Sequence, residues 1–274
     1  MTDSPDGVQD VDIYTVNKQW EPKLVEFDVE AGIARITLNR PPANVFSVEL
    51  LADVAAALET LEFRDEVKLI VIAARGKYFS AGIELADQID DRGYLMVEAL
   101  RRVFELLLKL DKPSLSVVAG SALGPGSLLA GACDMCLAGS GAKFAHPEIR
   151  AGVFGTVTAA LLPRLVGRKK AFEMILGGQA ISAPEAVRVG LITRAVPADR
   201  LVADAEAVIR RFRESSSVVM QSARKAIAGG LDKPFDEALR HAEDVYLNQL
   251  LGSEDASEGL RAVREKRKPA WRNK

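Results

Sequence analysis

Three stretches of this chain set glycine and backbone donors directly after apolar runs: KYFSAGIEL at 77–85, GSALGPGSLL at 120–129 and KFAHPEIRAGVFG at 143–155. Backbone N–H groups at a glycine turn that opens a helix hold negative charge, because they lack partners and sit at the positive end of the helix dipole. Gly124-Pro125-Gly126 is such a turn with one anomaly, since Pro125 has no N–H to offer. Proline also starts a helix well, its missing donor being one of the orphans anyway, so Gly124 and Gly126 are the neighbours whose N–H groups remain. In the third stretch Glu148 brings a carboxyl group, and two more acids follow Ile83, Glu84 within the first stretch and Asp87 just after it.

An alternation of strands and helices has to position these stretches. LVEFDVEAGIARITLNRP holds two short β-type runs around a turn at Glu30–Gly32, which predicts a hairpin stopped by Pro41-Pro42. Leu50, Val54, Leu58 and Leu61 recur at helical spacing, and VKLIVIAA is a continuous apolar run short enough for a strand buried on both faces. The rhythm repeats with a helix from about Tyr94 to Leu110, the break at Lys112-Pro113 and the strand LSVVAG. Such alternation predicts an α/β layout with right-handed crossovers. ISAPEAVRVG carries a capping box in Ser182 and Glu185, with Pro184 in its first turn and Gly190 as its stop. Beyond Pro197 the pattern is almost wholly helical, in three or four amphipathic segments. The division predicted is an N-terminal arm at 1–22, an α/β core at 23–197 and a helical region at 198–274.

Composition narrows the rest. With 274 residues, 48% hydrophobic, 27% charged and a net charge of -2, the chain has the makeup of a soluble globular protein and no broad field for nucleic acid or an anionic membrane. Neither a membrane-length apolar run nor the layout of a signal peptide is present, and the location expected is the cytoplasm. Cys133 and Cys136 form one CxxC, and with only His146 and His241 beside them no four-ligand zinc site can be assembled from Cys and His, so no metal is expected. The cysteines read as packing residues, His146 as packed or solvent-facing, and His241 as a surface residue.

Taken in order, LNRP, FSAG, GSALGPG with Cys133-Asp134 closing its helix, FAHPEIRAGV, ISAPEAVRVGLI and the terminal SEDASEGLRAVREKR resemble the crotonase, or enoyl-CoA hydratase/isomerase, superfamily from about Leu24 to Trp271. That resemblance implies a spiral of ββα units with a helical C-terminal region that packs between subunits in homotrimers or homohexamers. It also implies an acyl-CoA substrate, with coenzyme A as part of the thioester and no separate cofactor. Two backbone N–H groups would hold the thioester carbonyl as an enolate forms; the first falls on Ile83 and the second on Pro125, where Gly124 or Gly126 would have to substitute. Arg40, Ala43, Ala81 and Lys266 correspond to the coenzyme A side, and Leu128, Phe154 and Thr156 to the acyl pocket.

The resemblance carries one departure of chemical weight. Hydratases of the superfamily use two glutamates, and only the second is kept here, as Glu148; Leu128 stands where the first would be. Glu84 or Asp87 is the expected auxiliary acid if water is to be added. Isomerisation of an enoyl-CoA double bond by Glu148 alone is the alternative, and a weakened member that binds acyl-CoA or acts as a scaffold is another. SAGIELADQ with GVF and LPRLVGRKKAFE also resembles cyclic dienoyl-CoA hydratases of aromatic breakdown, and hydration or dehydration of an enoyl- or dienoyl-CoA is the activity expected.

Overall fold

The computed structural model describes residues 21–274, so residues 1–20 of the expected arm lie outside the described residues. Strands β1 (Val25–Glu30) and β2 (Ile33–Leu38) pair antiparallel from Val25↔Leu38 to Glu30↔Ile33. Their turn is Ala31-Gly32, at φ 50 and 77, the two left-handed positions that a two-residue hairpin of the right twist requires. Helix α1 (Val48–Glu62) follows, opened by Ser47, whose hydroxyl accepts from the Leu50 N–H. Then come β3 (Leu69–Ala74), α2 (Asp90–Lys109), β4 (Ser114–Val118), β5 (Ala122–Leu123), α3 (Pro125–Ala132), β6 (Met135–Gly139) and β7 (Lys143–Ala145). Next are α4 (Thr156–Val166), α5 (Arg168–Gly177), β8 (Ile181–Ser182), α6 (Ala183–Arg188) and β9 (Arg194–Val196). Four further helical segments end the chain: α7 (Leu201–Arg213), α8 (Ser217–Ala228), α9 (Phe235–Asp244) running into a π-helical turn Val245–Leu250, and α10 (Glu254–Arg264).

The main sheet has the order β1-β2-β3-β4-β6-β9, parallel throughout except for the hairpin. Parallel strands are covered on both faces, which explains the continuous apolar run of β3. One face buries Ile36, Leu38, Ile70 and Ile72 against α1 and α2, through Leu50, Val54, Leu58, Val103 and Leu107. The other buries Ile33, Leu69, Val71, Leu115 and Leu137 against Leu201, Ala205 and Ile209 of α7. The first helix past residue 197 thus closes the second face of the sheet.

A smaller sheet, ordered β5-β7-β8, stands beside the first and organises the glycine stretches. Ser80 bridges in parallel to Ala122, and Ile83 bridges to Phe46, so the segment 79–83 lies between residues 43–46 and β5. The helix expected from Tyr94 begins four residues earlier, at Asp90, because Asp90 and Asp91 supply acidic residues to its first turn. Ser182 caps α6 as expected, its hydroxyl accepting from the Glu185 N–H at 3.3 Å, but the Glu185 carboxylate pairs with Arg188 and Lys170 instead of completing a capping box.

Candidate active site

The three glycine stretches meet at Gly124. In the first, Phe46 donates to the Gly82 carbonyl and the Glu84 N–H donates to the Phe46 carbonyl, each at 2.8 Å. Because successive N–H groups of an extended chain face opposite edges, the Ile83 N–H points the other way, toward β5 and the start of α3. It has no hydrogen-bond acceptor among the described residues. Gly82 holds φ at 118, and its N–H is taken by the Ser80 hydroxyl at 3.1 Å. Asn44, which the sequence reading passed over, anchors this stretch: buried at φ 50, it donates to the Arg75 and Tyr78 carbonyls and accepts from the Arg40 N–H. An Asn directly after a Pro-Pro-Ala turn is the signal that would have found it, since Asn tolerates the left-handed region.

At α3 the structure corrects one expectation. Gly124 is not a free donor, because its N–H continues the ladder between β5 and β7 by donating to the Ala145 carbonyl at 2.8 Å. Pro125 fills the first helical position, and the first regular helical bond is the Leu128 N–H to the Gly124 carbonyl at 3.2 Å. The Gly126 and Ser127 N–H groups come before that bond and have no acceptor among the described residues. Gly126 also lets α3 press against the first stretch, for a Cβ there would lie 2.4 Å from Ser80 Cβ.

Glu148 sits on a 3-10 turn, Pro147–Ala151, that leaves β7 and closes at Gly152 with φ 80. Its carboxyl reaches back to Gly124, where a Cβ would stand 2.7 Å from Oε1. Gly124 (φ 55, ψ -129) therefore serves two needs, a backbone conformation that L residues avoid and room for the carboxyl. Glu148 is buried and Oε1 has no partner, so burial pushes its pKa above the usual carboxylate range. His146, two residues earlier, is also buried, with neither ring nitrogen bonded among the described residues, and burial lowers its pKa to about 4. It is a neutral imidazole near pH 7.

Other residues singled out by sequence occupy varied places. Asp87 is buried and spent on structure, with Oδ1 2.6 Å from Arg92 Nε and Oδ2 accepting from the Val48 N–H at the start of α1. Glu84 pairs with Arg40 at 3.0 Å, and the same guanidinium donates to the Val45 carbonyl. The two acids expected to assist are each held by an arginine. Ala43 and Ala81 are joined by the bond from the Ala81 N–H to the Ala43 carbonyl. Leu128 is 1% exposed within the core, Phe154 is 60% exposed, Thr156 opens α4 at the surface, and Lys266 is exposed at φ 54 after α10. Cys133 and Cys136 are buried free thiols, and burial pushes Cys136 up to about 12.

Comparison with known proteins agrees with this geometry. The profile of the enoyl-CoA hydratase/isomerase family matches residues 28–274. The chain is 34% identical over 258 residues to a probable enoyl-CoA hydratase of Mycobacterium bovis, spanning 92% of this chain and 98% of the relative. It is 31% identical over 259 residues to the cyclohexa-1,5-dienecarbonyl-CoA hydratase of Thauera aromatica, again covering 92% and 98%. Among solved structures, an enoyl-CoA hydratase of Mycobacterium smegmatis superposes with a TM-score of 0.86 at 30% identity, over 91% of this chain and 99% of that one.

Proposed function

The chain belongs to the enoyl-CoA hydratase/isomerase family, and on that premise we propose that it adds water to, or removes it from, the double bond of an enoyl- or dienoyl-CoA through a thioester enolate. One observation carries the assignment of roles: the buried carboxyl of Glu148, whose Oε1 has no partner among the described residues, lies against Gly124, between two segments that offer the unbonded N–H groups of Ile83 and of Gly126 and Ser127. In this reading the Ile83 and Gly126 N–H groups hold the thioester oxygen, and losing one such donor costs about 10²–10³ in rate. Glu148 transfers the proton at the α-carbon. Arg40, Ala43 and Ala81 border the coenzyme A arm, Lys266 meets its phosphates, and Leu128, Phe154 and Thr156 border the acyl group. No cofactor beyond the coenzyme A of the substrate is required.

The working form proposed is a homotrimer or homohexamer in the cytoplasm. An apolar cleft of about 570 Å³ between α8 and the Val245–Leu250 turn, lined by Val219, Ala226, Tyr246 and Leu250, supports association through the C-terminal helices. Two free buried thiols accord with a reducing compartment. Among the described residues no helix is long and apolar enough to cross a membrane.

Leu128 favours a second reading, isomerisation of the double bond by Glu148 alone, since no titratable side chain stands at that α3 position. Straight and cyclic enoyl- and dienoyl-CoAs incubated in heavy-oxygen water, with products followed by mass, separate the two. Label uptake that disappears in Glu148→Gln is expected. Unlabelled products with shifted double bonds would transfer the assignment to isomerisation, and tight binding without turnover would remove both.

A further inference from the structure

Three residues with buried, unpartnered polar atoms lie on the segments that meet at Gly124. Ser127 Oγ, both ring nitrogens of His146 and Glu148 Oε1 make no hydrogen bond among the described residues, and all three residues are at least nine-tenths buried. The parallel register Ala122↔Phe144 and Leu123↔Ala145, carried on by the Gly124 N–H to the Ala145 carbonyl, sets His146 opposite Gly124. Glu148 Oε1 lies at the Cβ position of the same glycine, and Ser127 follows it by three residues at the start of α3. Of the other two such residues, Gln88 and Ser217, neither lies on these segments. Orphaned buried polar groups are costly and rare in folded proteins, so a cluster of three on adjoining segments marks a place built for a polar occupant. The adjacent α3 position, Leu128, is apolar and carries no second carboxyl.

Resting on the hydratase reading above, we propose that His146 and Ser127 hold the water that is added, doing by hydrogen bonding what a second carboxylate would do by charge. A neutral imidazole has one donor and one acceptor nitrogen, and a serine hydroxyl rotates to complement either. The step balances with Glu148 as the sole proton carrier. The water oxygen bonds to the β-carbon, and the π pair moves toward the thioester as the enolate forms. Protonated Glu148 gives its proton to the α-carbon, and the water's surplus proton passes to the carboxylate so produced. The net change is H and OH across the double bond, and neither His146 nor Ser127 gains or loses a proton.

Two reactions of the intact enzyme test this. One is hydration of the enoyl- or dienoyl-CoA that shows label uptake in the panel above; the other is α-proton exchange of butyryl-CoA in deuterium oxide, which needs the base and the carbonyl clamp but no added water. His146→Phe and Ser127→Ala are expected to lower kcat for hydration by about 10²-fold, the scale of lost positioning, while exchange continues at the wild-type rate. His146→Gln, which keeps a donor and an acceptor, is expected to retain most of the hydration, and it serves as the folded reference should Phe not be accommodated. Wild-type hydration in His146→Phe and Ser127→Ala would overturn the proposal, as would equal loss of hydration and exchange. Exchange that survives in Glu148→Gln would instead overturn the role of Glu148, a different failure.

Discussion

Replacing Gly124 by alanine tests whether the carboxyl of Glu148 is held where it must be. The new Cβ would stand 2.7 Å from Oε1, whereas ordinary contact begins at 3.4 Å, so the carboxyl must retreat by 3.4 − 2.7 = 0.7 Å. A misplacement of about 1 Å at a reacting group costs about 10²-fold in rate, and a loss of that order in kcat is expected with KM little changed. Alanine would also be forced to φ 55 and ψ -129, a region that costs about 1–3 kcal/mol for a residue with a Cβ. Gly76→Ala separates the two effects, because Gly76 has φ +83 and nothing within 4 Å of its notional Cβ. Both variants should melt several degrees below wild type, and only Gly124→Ala should lose hydration per folded molecule. Wild-type kcat in Gly124→Ala, or activity lost in proportion to stability in both variants, would refute the placement of Glu148.

Two further outcomes follow from groups the structure holds tightly. His146 has a pKa depressed to about 4 from 6.5, so between those values the unfolded chain binds more protons. The stability it contributes is full above about pH 6.5 and is lost as pH falls through 4, amounting to about 3 kcal/mol at 1.36 kcal/mol per unit. Urea unfolding at pH 7.5 and 4.5 should therefore show a steeper acid loss for wild type than for His146→Phe; parallel losses would mean that the ring is not buried as described. Asp87→Ala removes the acceptor for Arg92 and for the Val48 N–H and should lower stability by about 1–3 kcal/mol with kcat per folded molecule retained. A selective fall in kcat would restore Asp87 as an acid in the reaction.

Features set by neighbouring residues were legible in the sequence, and those set by distant pairing were not. The hairpin at Ala31-Gly32, the buried run of β3 and the Ser182 cap each follow from a few adjacent residues. Glu148 and Ile83 could be singled out because their stretches carry motifs, and the fold brings both stretches against Gly124. Glu84 and Asp87, by contrast, read as available acids until Arg40 is brought to the first from 44 residues away and the Val48 N–H to the second from 39. Gly124 and Gly126 were equivalent in the sequence; the Ala145 carbonyl, 21 residues on, distinguishes them. His146 was recognisable as a packed residue, but that both its nitrogens are left without partners is a property of the elements around it.

That distinction bears on the proline in the glycine turn. The bonds that build the small sheet consume the Phe46, Ser80, Gly82, Glu84 and Gly124 backbone groups that surround the candidate site, leaving the Ile83 N–H on one side and those of Gly126 and Ser127 on the other. A donor at position 125 would add a third N–H to the same short helical start; proline removes it and fixes φ for the first turn of a helix that is buried along its whole length. The donors that remain are fixed by the sheet, and donors that need not reorganise are the ones that stabilise a developing oxyanion most effectively. Pro125 is thus compatible with a complete oxyanion site. For the proposed reaction the departure that matters is Leu128, since among the described residues it leaves Glu148 as the one unpaired carboxyl against Gly124 and gives the polar atoms of His146 and Ser127 their proposed part.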